Sequence, residues 1–119
     1  MSITYVIVFD VIPEKLDQFG DLLTGVLDAM KSELKLHEAI LHRDPDCRTR
    51  FMLYETWESH EDVLTVQLQR PYRKAWHAAL PALLQKPRDV TTWQAVRVDR
   101  RAEVPGKNEV DELRGPKFS

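Results

Sequence analysis

Glu55, with His77 or His37, could move protons in this chain, and aromatic and amide side chains stand close to Glu55 and His77 in sequence. Trp57, Gln67, Tyr72 and Trp76 fall within the same stretch of some twenty residues. A glutamate or histidine tuned by its surroundings can act as a base near neutral pH. An indole or phenol ring can wall a small aromatic ligand, and a glutamine can hydrogen-bond a substrate oxygen but cannot transfer a proton. If Phe51 to Trp57 is a strand, Glu55 shares a face with Phe51, Leu53 and Trp57, because alternate residues point the same way. A carboxylate among apolar neighbours is either paired or raised in pKa. Arg43 and Arg97, on other predicted strands, are the partners the sequence offers. His37 and His42 lie on opposite faces of one strand, so only one can meet the same pocket, and hairpin register decides which. Glu55, His77 and His37 are therefore the candidate catalytic residues. Trp57, Gln67, Tyr72 and Trp76 are the candidate substrate-binding residues.

Each of these has a plainer role. Trp57 suits a core, Tyr54 on the opposite face suits a contact between copies, and His77 sits at the margin of a helical stripe. The basic run Arg70-Pro71-Tyr72-Arg73-Lys74 reads as a solvated rim, or as a device drawing an anionic substrate to a pocket mouth.

Composition narrows the rest. The 119 residues make one domain with a formal net charge of −2, so no basic field points to nucleic acid. Cys47 is the single cysteine, which excludes an internal disulfide and a multi-cysteine metal site and suits a reducing cytoplasm. The four histidines show no helix-face pair at four-residue spacing, so no metal is expected. There is no glycine-rich phosphate loop. The opening MSITYVIVFDVI has no basic leader and reads as a strand, and no apolar run approaches the ~20 residues needed to span a bilayer. No membrane partner and a cytoplasmic location are the expectation.

The elements that must position the candidate residues follow from periodicity. Residues 3–12 are predicted as the first strand, stopped by Pro13. Residues 14–33 form a helix whose Leu16, Phe19, Leu23, Val26, Leu27 and Met30 make one stripe. Residues 36–43 and 51–57 are an antiparallel pair around the Asp44-Pro45-Asp46 turn. Ser59 caps a helix over 60–69, Pro71 restarts one over 71–85 with a kink expected at Pro81, and 90–98 is the last strand. Residues 1–98 then form one domain. Residues 99–119 form a charged tail, disordered or packed on a partner.

The order β-α-β-β-α-β is the split βαβ, ferredoxin-like α+β plan, with helices on one face of a four-stranded sheet. The first and third strands are apolar on both faces, so the uncovered face must meet something apolar. A second copy of the chain is the expected cover, giving a two-fold homodimer.

Pro13 and Phe19, Leu41-His42-Arg43-Asp44, FMLYETWES over 51–59, Pro71-Tyr72 and ALPALL over 79–84 together resemble the antibiotic biosynthesis monooxygenase superfamily, dimeric α/β barrels. The resemblance spans about residues 3–98. It implies cofactor-free oxygenation of a small aromatic or quinol substrate, or isomerisation of a small keto metabolite, or a non-catalytic, stress-associated binding protein of the same fold. The chain departs from the family pattern at two places. Leu34-Lys35-Leu36 replaces a Pro-Gly-Cys-like turn, and Gln67 stands ten residues after Trp57 where many members carry histidine. A heme-degrading subset uses that histidine on iron together with an asparagine on the first strand. Glutamine is a poor heme ligand and strand one has no asparagine, so no cofactor is expected.

Overall fold

The computed structural model describes residues 2–102. The elements are β1 (Ile3–Asp10), a 3₁₀ turn at Pro13–Lys15, α1 (Leu16–Met30), β2 (Leu36–Arg43), β3 (Arg50–Trp57), α2 (His60–Thr65), 3₁₀ turns at Gln67–Gln69 and Pro71–Arg73, α3 (Lys74–Leu83) and β4 (Asp89–Trp93). All strand pairs are antiparallel, in the order β2-β3-β1-β4. This is the ferredoxin-like arrangement that the element order predicts.

The register sorts the side chains. Ile7 pairs with Leu53 and Phe9 with Phe51, which puts these residues and Trp57 on one face. The stripe of α1 (Phe19, Leu23, Val26 and Met30) and the inner positions of α3 (Trp76, Leu80 and Leu83) bury that face. Phe9, Phe19 and Trp76 meet pairwise at ring-centroid distances of 5.3 to 5.7 Å, and Phe51 adds a fourth ring 5.2 Å from Phe19. Each such ring contributes about 1.5–3 kcal/mol by leaving water. Ser59 caps α2 as expected, its hydroxyl accepting from the Asp62 N–H at 3.1 Å.

Several boundaries differ from the periodicity. Pro13 opens a 3₁₀ turn, and α1 itself starts at Leu16. The helix after Ser59 breaks at Thr65, whose hydroxyl bonds back to the Glu61 carbonyl at 2.8 Å, a local bond that competes with the helical ladder. Pro81 falls in the last turn of α3, which ends at Leu83. The last strand stops at Trp93, short of Val98. β4 is an edge strand bonded only to β1, and Trp93 already pairs with Thr4 near the start of β1, so no template remains. The expected tail lies outside the described residues beyond Ala102.

The second sheet face carries Val6, Val8, Met52 and Tyr54 in adjacent pairs, with Ile40 and Trp93 on the flanking strands. Ile40 is 41% and Trp93 59% exposed, and no described helix covers them. Among the described residues no helix is long and apolar enough to cross a membrane.

Candidate functional site

Period two in β3 brings Glu55 and Trp57 to the helix face, and both are buried there. The Trp57 indole N–H donates to Glu55 Oε1 at 3.0 Å. Glu55 is 5% exposed, and burial holds its carboxyl above the ordinary carboxylate range. The Trp57 hydrogen bond and the charges of Arg73 and Arg88 pull it back only in part. Tyr5, the cross-strand partner of Glu55, hydrogen-bonds His60 Nδ1 at 2.5 Å. Burial, and then the Glu55 charge, raise the Tyr5 hydroxyl.

The 67–73 segment folds over this end of the sheet. Arg73 is 6% exposed, and its guanidinium carbon lies 5.7 Å from the Trp57 ring centroid and 5.5 Å from that of Tyr72. A buried guanidinium between two rings is held by cation–π attraction. Gln67 is buried, and its amide donates to Asp62 Oδ2 at 3.1 Å. Gln67 Oε1, the Tyr72 hydroxyl and Arg73 Nε are buried without a well-formed hydrogen bond, although the Arg73 guanidinium stands beside Tyr72. Burial raises the Tyr72 hydroxyl. Orphaned buried polar atoms are rare in folded proteins.

Next to this cluster lies a cleft of about 630 Å³ between α3 and the segment running into β4. Leu68, Leu80, Pro81 and Leu84 give it apolar walls. His77 lines it from α3, and Lys86 and Arg88 from the other side. Burial, then the positive charges of Arg88 and Arg73, hold the His77 imidazole below the ordinary histidine value. Both effects favour the neutral imidazole over the charged one. Arg88 is half-buried, and the Glu55 charge reaches it.

Glu55, Trp57, Tyr72 and Gln67 thus lie in or under the polar cluster, and His77 is on the cleft wall. Trp76 does not reach the cleft, because it is spent in the four-ring core. His37 is not brought to the site. Leu36 pairs with Trp57 and Glu38 with Thr56, which leaves His37 as the extra residue of a bulge, exposed. His42, paired with Met52, is on the second face. The expected partners of Glu55 are corrected as well: Arg97 pairs with Asp99 and Arg43 stands opposite Phe51, while Arg73 and Arg88 supply the charge.

Two cations of the cluster, Arg73 and Arg88, are not among the candidate site residues. Arg73 belongs to the basic run read as a solvated rim or as a device drawing in an anionic substrate, yet it stands three residues before Trp76 and seven before Leu80, in line with the buried stripe of α3. That spacing was the available signal. Arg88 carries none, because it sits in a loop and meets Glu55 only through the tertiary fold. Among the described residues, no three His, Cys, Asp or Glu side chains group as a metal site.

The family model described as antibiotic biosynthesis monooxygenase matches residues 2–79. A protein of Pestalotiopsis microspora named "Putative monooxygenase" is 27% identical over 101 residues, 84% of each chain. Among solved structures, Rv0793 from Mycobacterium tuberculosis superposes with a TM-score of 0.76 at 18% identity, covering 84% of this chain and all of that one. SnoaB, a cofactor-independent oxygenase from Streptomyces nogalater, gives a TM-score of 0.70 at 18% identity over 82% of this chain and 95% of its own. At these identities the structural likeness establishes a shared fold.

Proposed function

The chain belongs to the antibiotic biosynthesis monooxygenase family, and on that footing we propose that it is a cofactor-independent monooxygenase acting on a small aromatic or quinol substrate bound in the cleft beside α3. The observation that carries this reading is the place of His77 on the wall of an apolar cleft, where burial lowers its proton affinity. An electron-rich phenol or quinol becomes reactive toward oxygen once deprotonated. His77 takes the acidic proton, and the leucine and proline walls exclude water from the anion that forms.

The substrate is the reductant. In a hydroquinone, one ring carbon gains one oxygen atom of O₂, and the ring loses two hydrogens overall as it becomes a hydroxyquinone. The second oxygen atom leaves with those hydrogens as water, so the four electrons lost by carbon equal the four gained by O₂. Binding and orientation bring the reacting atoms together. Glu55 offsets the charge of Arg73 and Arg88 behind the cleft, and Trp57 and Tyr72 hold Arg73 in place. Gln67 cannot relay a proton, so the acid–base work falls to His77.

Two copies joined through the Val6, Val8, Met52 and Tyr54 face complete the proposed assembly. The partly exposed Ile40 and Trp93 on that face support it. A second reading, a binding protein without turnover, is favoured by Gln67 in the position where many family members carry histidine.

Oxygen consumption with a panel of hydroquinones and anthrones tests the reaction. Uptake of one O₂ per oxidised substrate, lost in His77→Ala, is expected. No uptake with any member of the panel sinks the oxygenase reading in favour of binding alone.

A further inference from the structure

Two guanidiniums feel the charge of a single carboxylate beside the cleft. The charge of Glu55 reaches both Arg73 and Arg88, and the two arginines repel each other. Glu55 is committed to Trp57 by its hydrogen bond. Arg73 is sandwiched by two rings and buried. Arg88 is different: it lines the cleft, is half-buried, and no described residue is its hydrogen-bond or ion-pair partner. The other cleft cation, Lys86, is engaged by Asp10 Oδ2 at 3.4 Å. Adjacent to Arg88 are the apolar walls and His77.

An arginine in this state has lost part of its hydration and, among the described residues, has gained no direct ion-pair partner in return, only the more distant charge of Glu55. Its planar fork matches a carboxylate in a two-point hydrogen bond, which is strengthened by partial burial. A net excess of one positive charge around a cleft of about 630 Å³ selects an anion with an apolar body. We propose that the cleft recognises aromatic acids, ligands carrying an anionic oxygen group on a ring system, with Arg88 binding the charge. This deepens the proposed function and rests on the cleft being the substrate site. It assigns to Arg88 the steering role that composition offered to the Arg70–Lys74 run.

The test compares 1-naphthoate with 1-naphthamide, which share a ring system and differ in charge. Both are titrated against the full chain while the His77 ring signals are followed by NMR, which localises binding to the cleft. The naphthoate is expected to bind at least about tenfold more tightly, roughly one charge-assisted hydrogen bond's worth. Arg88→Gln should bring that ratio below about threefold, with naphthamide binding unchanged. Arg88→Lys should retain part of the preference, because the charge survives without the fork, and Lys86→Gln should leave most of it. Equal affinity of the two probes in the unaltered protein, a ratio that survives Arg88→Gln, or perturbation of neither His77 signal overturns the proposal. The readout is binding, so a failure of oxygen uptake would sink the oxygenase reading while this preference stood or fell on its own result.

Discussion

The indole N–H of Trp57 donates to the carboxylate of Glu55 two residues earlier on the same strand, at 3.0 Å and out of contact with solvent. Residues two apart on a strand point the same way, so a long ring and a carboxylate can meet along one face. That bond, with the charges of Arg73 and Arg88, favours a negative charge in this place, and burial opposes it.

Trp57→Phe removes the donor and leaves the buried carboxylate short of a partner. The expected loss is about 1–3 kcal/mol for the orphaned charge, on top of the packing cost of the smaller ring. The hydrogen-bond part should shrink at acid pH, where Glu55 is protonated in the folded chain. Urea unfolding at one pH above and one below the Glu55 titration separates the two parts. An equal loss at both leaves no role for the charge.

Glu55 also sets a sign for pH dependence. Its folded pKa lies above its unfolded value. Below the unfolded value both states hold the proton and there is no slope. Between the two values the folded chain keeps a proton that the unfolded chain has released, so stability falls as pH rises, and above the folded value the loss is complete. Glu55→Gln cannot ionise. The stability of Glu55→Gln relative to the unaltered protein should therefore grow with pH across that window and level off above it. A difference that is flat or shrinks with pH contradicts the raised value.

How much of this was legible depends on where the information resides. The bounds of β2 were read from the sequence as they stand, because a turn with Asp-Pro-Asp chemistry closes a β-rich run. The burial of Glu55 was legible too, from its parity with Phe51, Leu53 and Trp57. The two strand-two histidines could not be placed, because a bulge at His37 shifts the register and no local residue announces it. The end of β4 depends on how far β1 extends beside it, which is a property of the other strand. Arg73 was read by composition, as part of a basic run, when its spacing to Trp76 already placed it on the buried face. Arg88 required the fold, since a loop cation has no period.

His77 is the base in the proposed reaction, and its proton affinity is lowered first by burial and then by Arg88 and Arg73. Its titration, followed by ring-proton NMR, should fall below the ordinary histidine value of about 6.5. Arg88→Gln should move it upward by removing the stronger of the two like-charge effects. Oxygen uptake should decline as pH falls through the His77 value measured in the same protein, and His77→Ala should lower kcat by about 10²–10⁴-fold with less effect on KM. A rate that ignores pH across that range, or an alanine variant of normal kcat, removes His77 from the chemistry.

The second sheet face yields the last prediction. Val8 stands opposite Met52 and Val6 opposite Tyr54, so four apolar side chains form a contiguous centre flanked by Ile40 and Trp93. A sheet with helices on one side leaves this centre in water unless a second surface covers it, and the same face of another copy is self-complementary under a two-fold axis. A stable interface of this kind buries roughly 800 Å² per partner. The unaltered chain should sediment as a dimer at micromolar concentration. Val8→Glu or Met52→Glu would set like charges close together across the axis and shift the protein to monomer. Far-ultraviolet circular dichroism should stay unchanged, because the helix-face core built on Phe9, Phe19 and Trp76 is not touched. A single-chain species for the unaltered protein, or a dimer indifferent to both glutamates, places the contact elsewhere.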